Sequence, residues 1–144
     1  MATPISIYVA GKWGDRVELQ KKMDRLRDEF QFNVLSGWVE RENRINTPED
    51  YSECSKLDIE EVSAADKLLV FMDDPKYAYR GTYCEIGCAI GLGKQVVIVT
   101  DAVATKINET TYDFSHYCMK NVFFWHPNIT HVKTIEEAVK ELRK

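Results

Sequence analysis

The sequence predicts a single-domain, three-layer α/β fold built around a five-stranded parallel sheet. Short apolar segments typical of buried strands alternate with longer amphipathic segments along the 144 residues, which is the length of one ordinary domain. The strand-like segments are apolar at nearly every position instead of alternating, as expected for parallel strands that are covered on both faces. A hydrophobic content of 44% excludes a disordered chain.

The first half of the chain gives two strands and two helices. Residues 5–10 (ISIYVA) form an apolar strand, and residues 16–30 place apolar side chains among charges at helical spacing. A second strand follows at residues 32–35. Residues 36–48 are polar without a period and are predicted to be a loop. Residues 49–65 are the second helix.

The second half continues the alternation. The segment KLLVFM is a third strand, and a helix that ends at Gly93 follows it. Thr134 and, three residues later, Glu137 predict a capping box at the start of the last helix. The predicted strands are residues 67–72, 95–100 and 122–125, the predicted helices are 81–92, 112–119 (short) and 134–143, and the predicted loops include 73–80 and 101–111.

Five such strands suggest a flavodoxin-like or Rossmann-like sheet with the order 2-1-3-4-5. In these sheets a ligand lies at the carboxyl ends of the strands, in the crevice between strands 1 and 3. The loops of residues 11–16 and 73–80 meet there, and the second of them leads into helix 81–92. The strand order therefore selects a candidate site before any motif is considered.

Glu85 is the main candidate residue in this crevice. Thr82 and Glu85 have the spacing of a capping box, which is a purely structural interpretation. Alternatively, Glu85 projects into the crevice, where the helix N-terminus would keep it ionised and ready to attack an anomeric carbon. Gly87 and Gly91 on the same helix are expected to let the helix lie close to the sheet.

Other side chains near the crevice have a structural and a functional interpretation. Trp13 could stack on a base while Lys12 and Arg16 contact a phosphate, or all three could belong to a solvated turn. Asp58 borders an apolar stripe of its helix, and if it reaches the crevice, burial would favour its protonated form and make it a general acid. Asp73, with the acid after it, could bind a metal or a sugar hydroxyl, or form a turn.

Composition excludes several classes of function. The net charge is −4 and the pI is about 5.4, so a groove for nucleic acid polymers is not expected. The chain has neither a membrane-spanning run nor a charged start typical of a signal peptide, and its four cysteines lack disulfide or zinc spacing. We expect a cytoplasmic protein with free buried thiols, no metal and, without GxGxxG or Walker motifs, no cofactor.

Three segments resemble the nucleoside 2-deoxyribosyltransferase family, which includes deoxynucleoside 5′-monophosphate N-glycosidases. Residues 81–96 (GTYCEIGCAIGLGKQV) are similar to the family signature GT-x-x-E-[LI]-G-x-A-x-x-x-GK-x-V, the most specific of the three. Residues 57–66 (LDIEEVSAAD) resemble the stretch before the third strand, and residues 7–16 (IYVAGKWGDR) resemble the loop after the first strand.

The resemblance implies roles for individual residues. Glu85 would be the nucleophile that forms a deoxyribosyl-enzyme, Asp58 would handle the leaving base, and Tyr8 would orient the nucleophile. A homo-oligomer is implied in which a neighbouring subunit completes each site from the loop after the fourth strand. The expected substrate contacts are Gly11, Lys12, Trp13, Arg16, Asp73, Arg80, Gly81, Thr82 and Ser115.

The sequence leaves the reaction open. Transferases of the family often have an acid six positions before the nucleophile, where this chain has Tyr79. Lys12, Arg16, Arg80 and Ser115 together could bind a 5′-phosphate, as in the hydrolases. The first hypothesis is transfer of deoxyribose between nucleobases, and the alternative is hydrolysis of nucleoside 5′-monophosphates. A non-catalytic nucleotide-binding module is a further alternative, and a flavodoxin-like electron carrier is disfavoured because no Ser- and Thr-rich phosphate loop follows the first strand.

Overall fold

Five parallel strands form the main sheet of the computed structural model, which describes residues 3–144. The first two residues belong to the segment used to predict the lack of a signal peptide, and they lie outside the described range. The strands are β1 (Ser6–Ala10), β2 (Asn33–Val34), β3 (Lys67–Phe71), β4 (Val96–Val99), β5 (Ala104–Lys106), β6 (Tyr112–Phe114) and β7 (Ile129–Val132). The helices are α1 (Arg16–Asp28), α2 (Trp38–Arg41), α3 (Pro48–Ala64), α4 (Arg80–Gly91) and α5 (Ile135–Leu142).

The strand order in the main sheet is β2-β1-β3-β4-β7, which confirms the predicted 2-1-3-4-5 arrangement. The central pairs are in register at Val9 with Leu69 and at Leu69 with Val97. All three of these side chains are completely buried. The apolar strands are thus the middle layer of the fold, as their lack of alternation indicates.

Helices cover both faces of this sheet. Helices α3 and α4 pack against each other on one face. On the other face α1 and α5 are joined by an ion pair of 2.8 Å between Arg25 and Glu136. Helix α3 starts with a capping box at Thr47 and Asp50, and Thr134 caps α5 by accepting from the backbone N–H of Glu137 at 3.1 Å. In residues 3–144 no helix has the length and apolarity needed to cross a membrane.

The predicted fifth strand at residues 122–125 is wrong. These residues form a 3-10 helix, and the strand of the main sheet is β7, several residues later. The sequence VFFW is apolar like a buried strand, but within it Phe124 is buried whereas Val122 is 77% exposed. In β7 the apolar pattern is broken by His131, whose Nε2–H donates to the Phe124 carbonyl at 2.8 Å.

Two further segments differ from the prediction. Residues 36–48, expected to be a loop, contain α2 and a 3-10 helix at Glu42–Arg44. Residues 104–114 form the antiparallel hairpin β5–β6, and a 3-10 helix at Tyr117–Lys120 follows, in place of the predicted loop and short helix. Each piece has four residues or fewer, so it is too short to show a helical or strand period.

Candidate active site

A cleft of about 440 Å³ opens at the carboxyl ends of β1 and β3, where the strand order predicts it. One wall comes from α4 and the loop before it, and the other comes from α3 and the segment that begins at α2. The lining residues are Gly11, Trp13, Trp38, Glu42, Ser55, Asp58, Ile59, Tyr77, Tyr79, Gly81, Thr82, Cys84 and Glu85.

Glu85 faces this cleft because it is not used as a cap. Helix α4 begins at Arg80 with Tyr79 as its N-cap, so Glu85 lies in the second turn. Thr82 donates instead to the Gly11 carbonyl at 3.3 Å, which ties α4 to the loop after β1. The capping-box interpretation is therefore wrong.

The packing role expected for two glycines of α4 is also wrong. A Cβ atom built at Gly87 or at Gly91 has no heavy atom within 4 Å. Gly11 is different, because a Cβ there would lie 2.9 Å from Leu19 Cδ1 and 3.4 Å from the Phe71 carbonyl oxygen. The close approach that needs glycine is thus in the loop after β1.

Burial raises the pKa of the Glu85 carboxyl to about 8. The neighbouring Tyr8 hydroxyl lowers that pKa, while the negative charges of Asp58, Glu42 and Glu61 raise it. The expectation that the helix N-terminus keeps Glu85 ionised is therefore wrong. At neutral pH the protonated form predominates.

Tyr8 lies directly beneath this carboxyl. Its side chain is fully buried, and among residues 3–144 its hydroxyl has no hydrogen-bond partner of good geometry. Burial, followed by the charge of Glu85, raises the pKa of Tyr8, so the hydroxyl keeps its proton. A buried hydroxyl beside Glu85 is suited to donate to its ionised form and to fix its orientation.

Asp58 reaches the same cleft from α3. Its Oδ1 accepts from Arg41 at 2.6 Å, and Arg41 also binds Glu61 through two contacts of 2.8 Å. Burial raises the pKa of Asp58, whereas Arg41 lowers it. The single guanidinium group of Arg41 thus pairs with two carboxylates. Acidic groups around the cleft therefore outnumber basic ones.

Glu42 is the third acid of the cleft, and the sequence analysis missed it. It follows α2 and lies within hydrogen-bonding reach of Asp58, although its segment was predicted to be a solvated loop. Burial and, after it, the charge of Asp58 raise the pKa of Glu42 to about 7.

Hydrogen bonds to the sheet and to α3 anchor the segment of residues 36–44 that carries Glu42. Ser36 Oγ accepts from the Val9 N–H at 2.8 Å, and the Trp38 indole donates to the Val9 carbonyl at 2.8 Å. Glu61 accepts from the Gly37 N–H at 3.1 Å. The adjacent apolar pair Trp38 and Val39, in an otherwise polar stretch, was the signal in the sequence that this segment is buried.

The loop after β1 lies at the rim of the cleft. Trp13 packs at a tilt against Trp38 with ring centroids 6.0 Å apart, and Arg16 lies over the Trp13 ring at 4.7 Å. Lys12 forms an ion pair of 2.6 Å with Asp74. Asp74 also accepts from the backbone of residue 76, so it acts as the turn former that its position suggests.

Five expected substrate contacts lie outside the lining of this cleft, namely Lys12, Arg16, Asp73, Arg80 and Ser115. Arg80 borders a separate cavity of about 350 Å³ with Tyr117 and Lys120. Ser115 accepts from the Val103 N–H at 2.7 Å and contacts the His116 ring at 2.7 Å. Asp73 is exposed. Within one chain, the proposed phosphate contacts are therefore not brought together.

Tyr79 stands where the family often has an acid. Its backbone is left-handed (φ 56°), its side chain is buried, and its hydroxyl accepts from the Asp74 N–H at 3.1 Å. Tyr77 packs edge-on against it with ring centroids 4.8 Å apart. A left-handed tyrosine is strained, and such strain is found mostly where the surrounding structure requires one geometry.

The arrangement suits attack on a carbon that carries a leaving group. Glu85 supplies a carboxyl beside the Tyr8 hydroxyl, Asp58 and Glu42 supply carboxyls that can carry a proton, and Trp13 and the tyrosines supply flat apolar surfaces.

Comparisons with known proteins give the family and the fold of the chain. The model of a family described as nucleoside 2-deoxyribosyltransferase matches residues 7–122. Among solved structures, a 2-deoxyribosyltransferase from Bacillus psychrosaccharolyticus is similar, with 24% identity and a TM-score of 0.56 over 72% of this chain and 77% of that chain. A CMP N-glycosidase from Clostridium botulinum is similar with 18% identity and a TM-score of 0.54 over 96% of this chain and 98% of that chain. No curated protein matches the chain.

Proposed function

Since the chain belongs to the nucleoside 2-deoxyribosyltransferase family, we propose that it cleaves the N-glycosidic bond of a 2′-deoxyribonucleoside and transfers the deoxyribosyl group to another nucleobase. The observation that carries the proposal is the placement of Glu85 in the cleft above the Tyr8 hydroxyl, opposite Asp58. All three belong to the single domain that we expect residues 1–144 to form.

In the proposed mechanism the ionised Glu85 attacks C1′ as the bond to the base breaks. Tyr8 holds the attacking carboxylate, and Asp58 hands a proton to the leaving base. The acceptor base then displaces Glu85 from C1′ and gives a proton back. Trp13, Gly11, Gly81 and Thr82 border the space that the substrate would fill.

The charges around the cleft support a substrate that is a nucleoside without a phosphate group. Among the described residues that line it there is no lysine or arginine, and nearby Arg41 is already shared by two carboxylates. A 5′-phosphate would bring two more negative charges to a site rich in acids.

Hydrolysis of a nucleoside 5′-monophosphate remains the second candidate. It is supported by Lys12 and Arg16 at the rim of the cleft and by the exposure of Ser115, which could reach the site of a neighbouring subunit. In this reaction water replaces the acceptor base, and Arg80 and Asp73 would have to act with a second copy.

We also propose a homo-oligomer and a cytoplasmic location. Apolar side chains of the hairpin and of the 3-10 helix at Val122–Trp125 are exposed, including Tyr112 and Trp125, as expected of an interface. The four cysteines are free, which fits a reducing compartment, although the only one of them that is buried is Cys118.

Product analysis tests the proposal. We expect the protein to release base from a 2′-deoxynucleoside and to form a new nucleoside when a second base is added. Replacing the nucleophile in Glu85→Gln should lower the rate by at least about 10³-fold. Glu60→Gln, an exposed acid on α3, is the control and should keep full activity.

The outcomes separate the candidates. Base release from a monophosphate alone, unaffected by an acceptor, would favour the hydrolase. Tight binding without turnover, equal in Glu85→Gln and in the native protein, would overturn both reactions and leave a binding module.

A further inference from the structure

A pair of carboxyl groups, Glu42 and Asp58, forms the wall of the cleft opposite Glu85. The two residues come from different elements, the turn after α2 and the middle of α3, and both line the same space. Both residues also line a second cavity together with Cys54 and Ser55, and each of the two carboxyl groups shifts the pKa of the other. Two carboxyl groups this close hold one proton between them, because two adjacent negative charges repel.

Arg41 makes the two members of the pair unequal. It contacts Asp58 Oδ1 at 2.6 Å and favours the ionised form of that residue. Among the described residues no other basic side chain contacts Asp58 and none contacts Glu42. The shared proton is therefore held mainly by Glu42, and the hydrogen bond to Asp58 is donated by Glu42.

The surroundings keep a proton on this pair up to neutral pH. Glu42 is partly buried beside Asp58. The titratable and charged groups that face the pair are Arg41 before it, Cys54 and Glu61 on α3, and Glu85 on α4. All but Arg41 are acidic or neutral, so they oppose a second negative charge. Burial raises the pKa of Glu42 to about 7.

We propose that Glu42 is the proton store of the reaction, and that the leaving base receives its proton from the Glu42–Asp58 pair instead of from Asp58 alone. This inference rests on the proposed function and adds a residue from the segment that follows α2.

The proton balance of each half-reaction is closed. As the bond between C1′ and the base nitrogen breaks, its electron pair stays on the base. Asp58 takes the proton of Glu42 and passes it to the base, so both carboxyl groups are left ionised. The bond from C1′ to a Glu85 oxygen forms at the same time. When an acceptor base attacks C1′, that bond breaks, and the proton lost by the acceptor returns to the pair.

The first test measures the pair without any substrate. In ¹³C NMR spectra of the full chain labelled at glutamate carboxyl carbons, the Glu42 signal is assigned by its loss in Glu42→Gln. We expect it to titrate near neutral pH and to shift to lower pH in Asp58→Asn. Titration of Glu42 in the ordinary range of an exposed carboxyl would overturn the pair, whether or not the protein shows activity.

The second test measures the pH profile of kcat/KM with a deoxynucleoside. Glu42→Gln keeps the shape and a hydrogen-bond donor but carries no transferable proton. We expect it to lower kcat about 10- to 100-fold and to remove the alkaline limb of the profile. Glu40→Gln, an exposed acid two residues earlier, is the matched control and should behave like the native protein.

A leaving group that needs no proton distinguishes proton supply from positioning. With 4-nitrophenyl 2-deoxyriboside as the probe, Glu42→Gln should retain most of the native rate. An equal loss with both substrates, or a retained alkaline limb, would overturn the role of Glu42. Absence of turnover by the native protein would instead refute the proposed function, and the NMR titration would still decide whether the pair exists.

Discussion

At the scale of single residues, Glu85 shows that burial can outweigh a helix N-terminus. The dipole of α4 favours a negative charge in its first turns, but Glu85 lies among three other acids in a partly closed cleft. The result is a pKa of about 8, well above the ordinary value of 4.5. A nucleophile held in its neutral form becomes able to react when substrate binding or a higher pH favours ionisation of its carboxyl group.

This raised pKa has a consequence for stability. A carboxyl whose pKa rises on folding contributes its full stability below the unfolded value of 4.5 and loses it as the pH rises through about 8. Glu85→Gln removes this loss. We expect the variant to melt about 5 °C higher than the native protein at pH 9 and at nearly the same temperature at pH 4.5.

Thermal unfolding followed by circular dichroism at both pH values checks this expectation. An exposed acid offers the control, since Glu60→Gln should leave the melting temperature unchanged at either pH. Equal melting of Glu85→Gln and the native protein at pH 9 would show that Glu85 is not held neutral by the fold.

At the scale of elements, residues 36–44 supply half of the acidic wall and depend on three anchors. Ser36 and Trp38 hold the end of β1, and Glu61 holds Gly37 from α3. The two helices of this segment have only four and three residues. The position of the segment therefore depends on buried side-chain hydrogen bonds, each of which is costly to leave unmade.

Removal of one anchor tests this dependence. Ser36→Ala leaves the buried Val9 N–H without its acceptor, so we expect a loss of about 1–3 kcal/mol in the free energy of unfolding. Urea denaturation at pH 7 measures it. Ser63→Ala, at an exposed position on α3, should cost less than about 0.5 kcal/mol. If the free energy of unfolding of Ser36→Ala equals that of the native protein, the other anchors are sufficient to hold the segment.

Prediction from the sequence succeeded where a long apolar or amphipathic period exists. The four strands β1 to β4 and the helices α1, α3, α4 and α5 were found this way, and Glu85 and Asp58 were assigned to the cleft. It failed at residues 36–48 and 101–125, because pieces of four residues or fewer are determined by tertiary contacts and not by a local pattern. Glu42 was missed for that reason.

At the scale of the whole molecule, one surface differs from the rest. The hairpin β5–β6 and the 3-10 helix at Val122–Trp125 present aromatic side chains to solvent, with Phe123 48% exposed. Tyr112 stacks on Phe114, and Phe114 packs at a tilt against Trp125. A continuous apolar surface of this kind is costly to leave in water, which favours association of two copies.

We therefore expect sedimentation velocity to show an oligomer that is weakened by a charge on this surface. Phe123→Glu should shift the protein toward the monomer, because a carboxylate buried in an apolar interface is strongly unfavourable. Val17→Glu changes an exposed apolar side chain on α1, far from this surface in the chain, and should leave the oligomer intact. A native protein that sediments as a monomer would contradict the interface.

The parallel pairing of the main sheet also determines the order in which the site can assemble. Every strand pair in that sheet is parallel, so each pairing needs a crossover and none can start from a local hairpin. The N-terminal strand β1 pairs with the central strand β3, from which α1, β2 and α3 separate it along the chain. Tyr8 and Glu85 therefore meet late in folding, after large chain loops have closed at a cost in entropy. Recovery of activity on refolding should accordingly report the completion of the central sheet, not the earlier formation of helices.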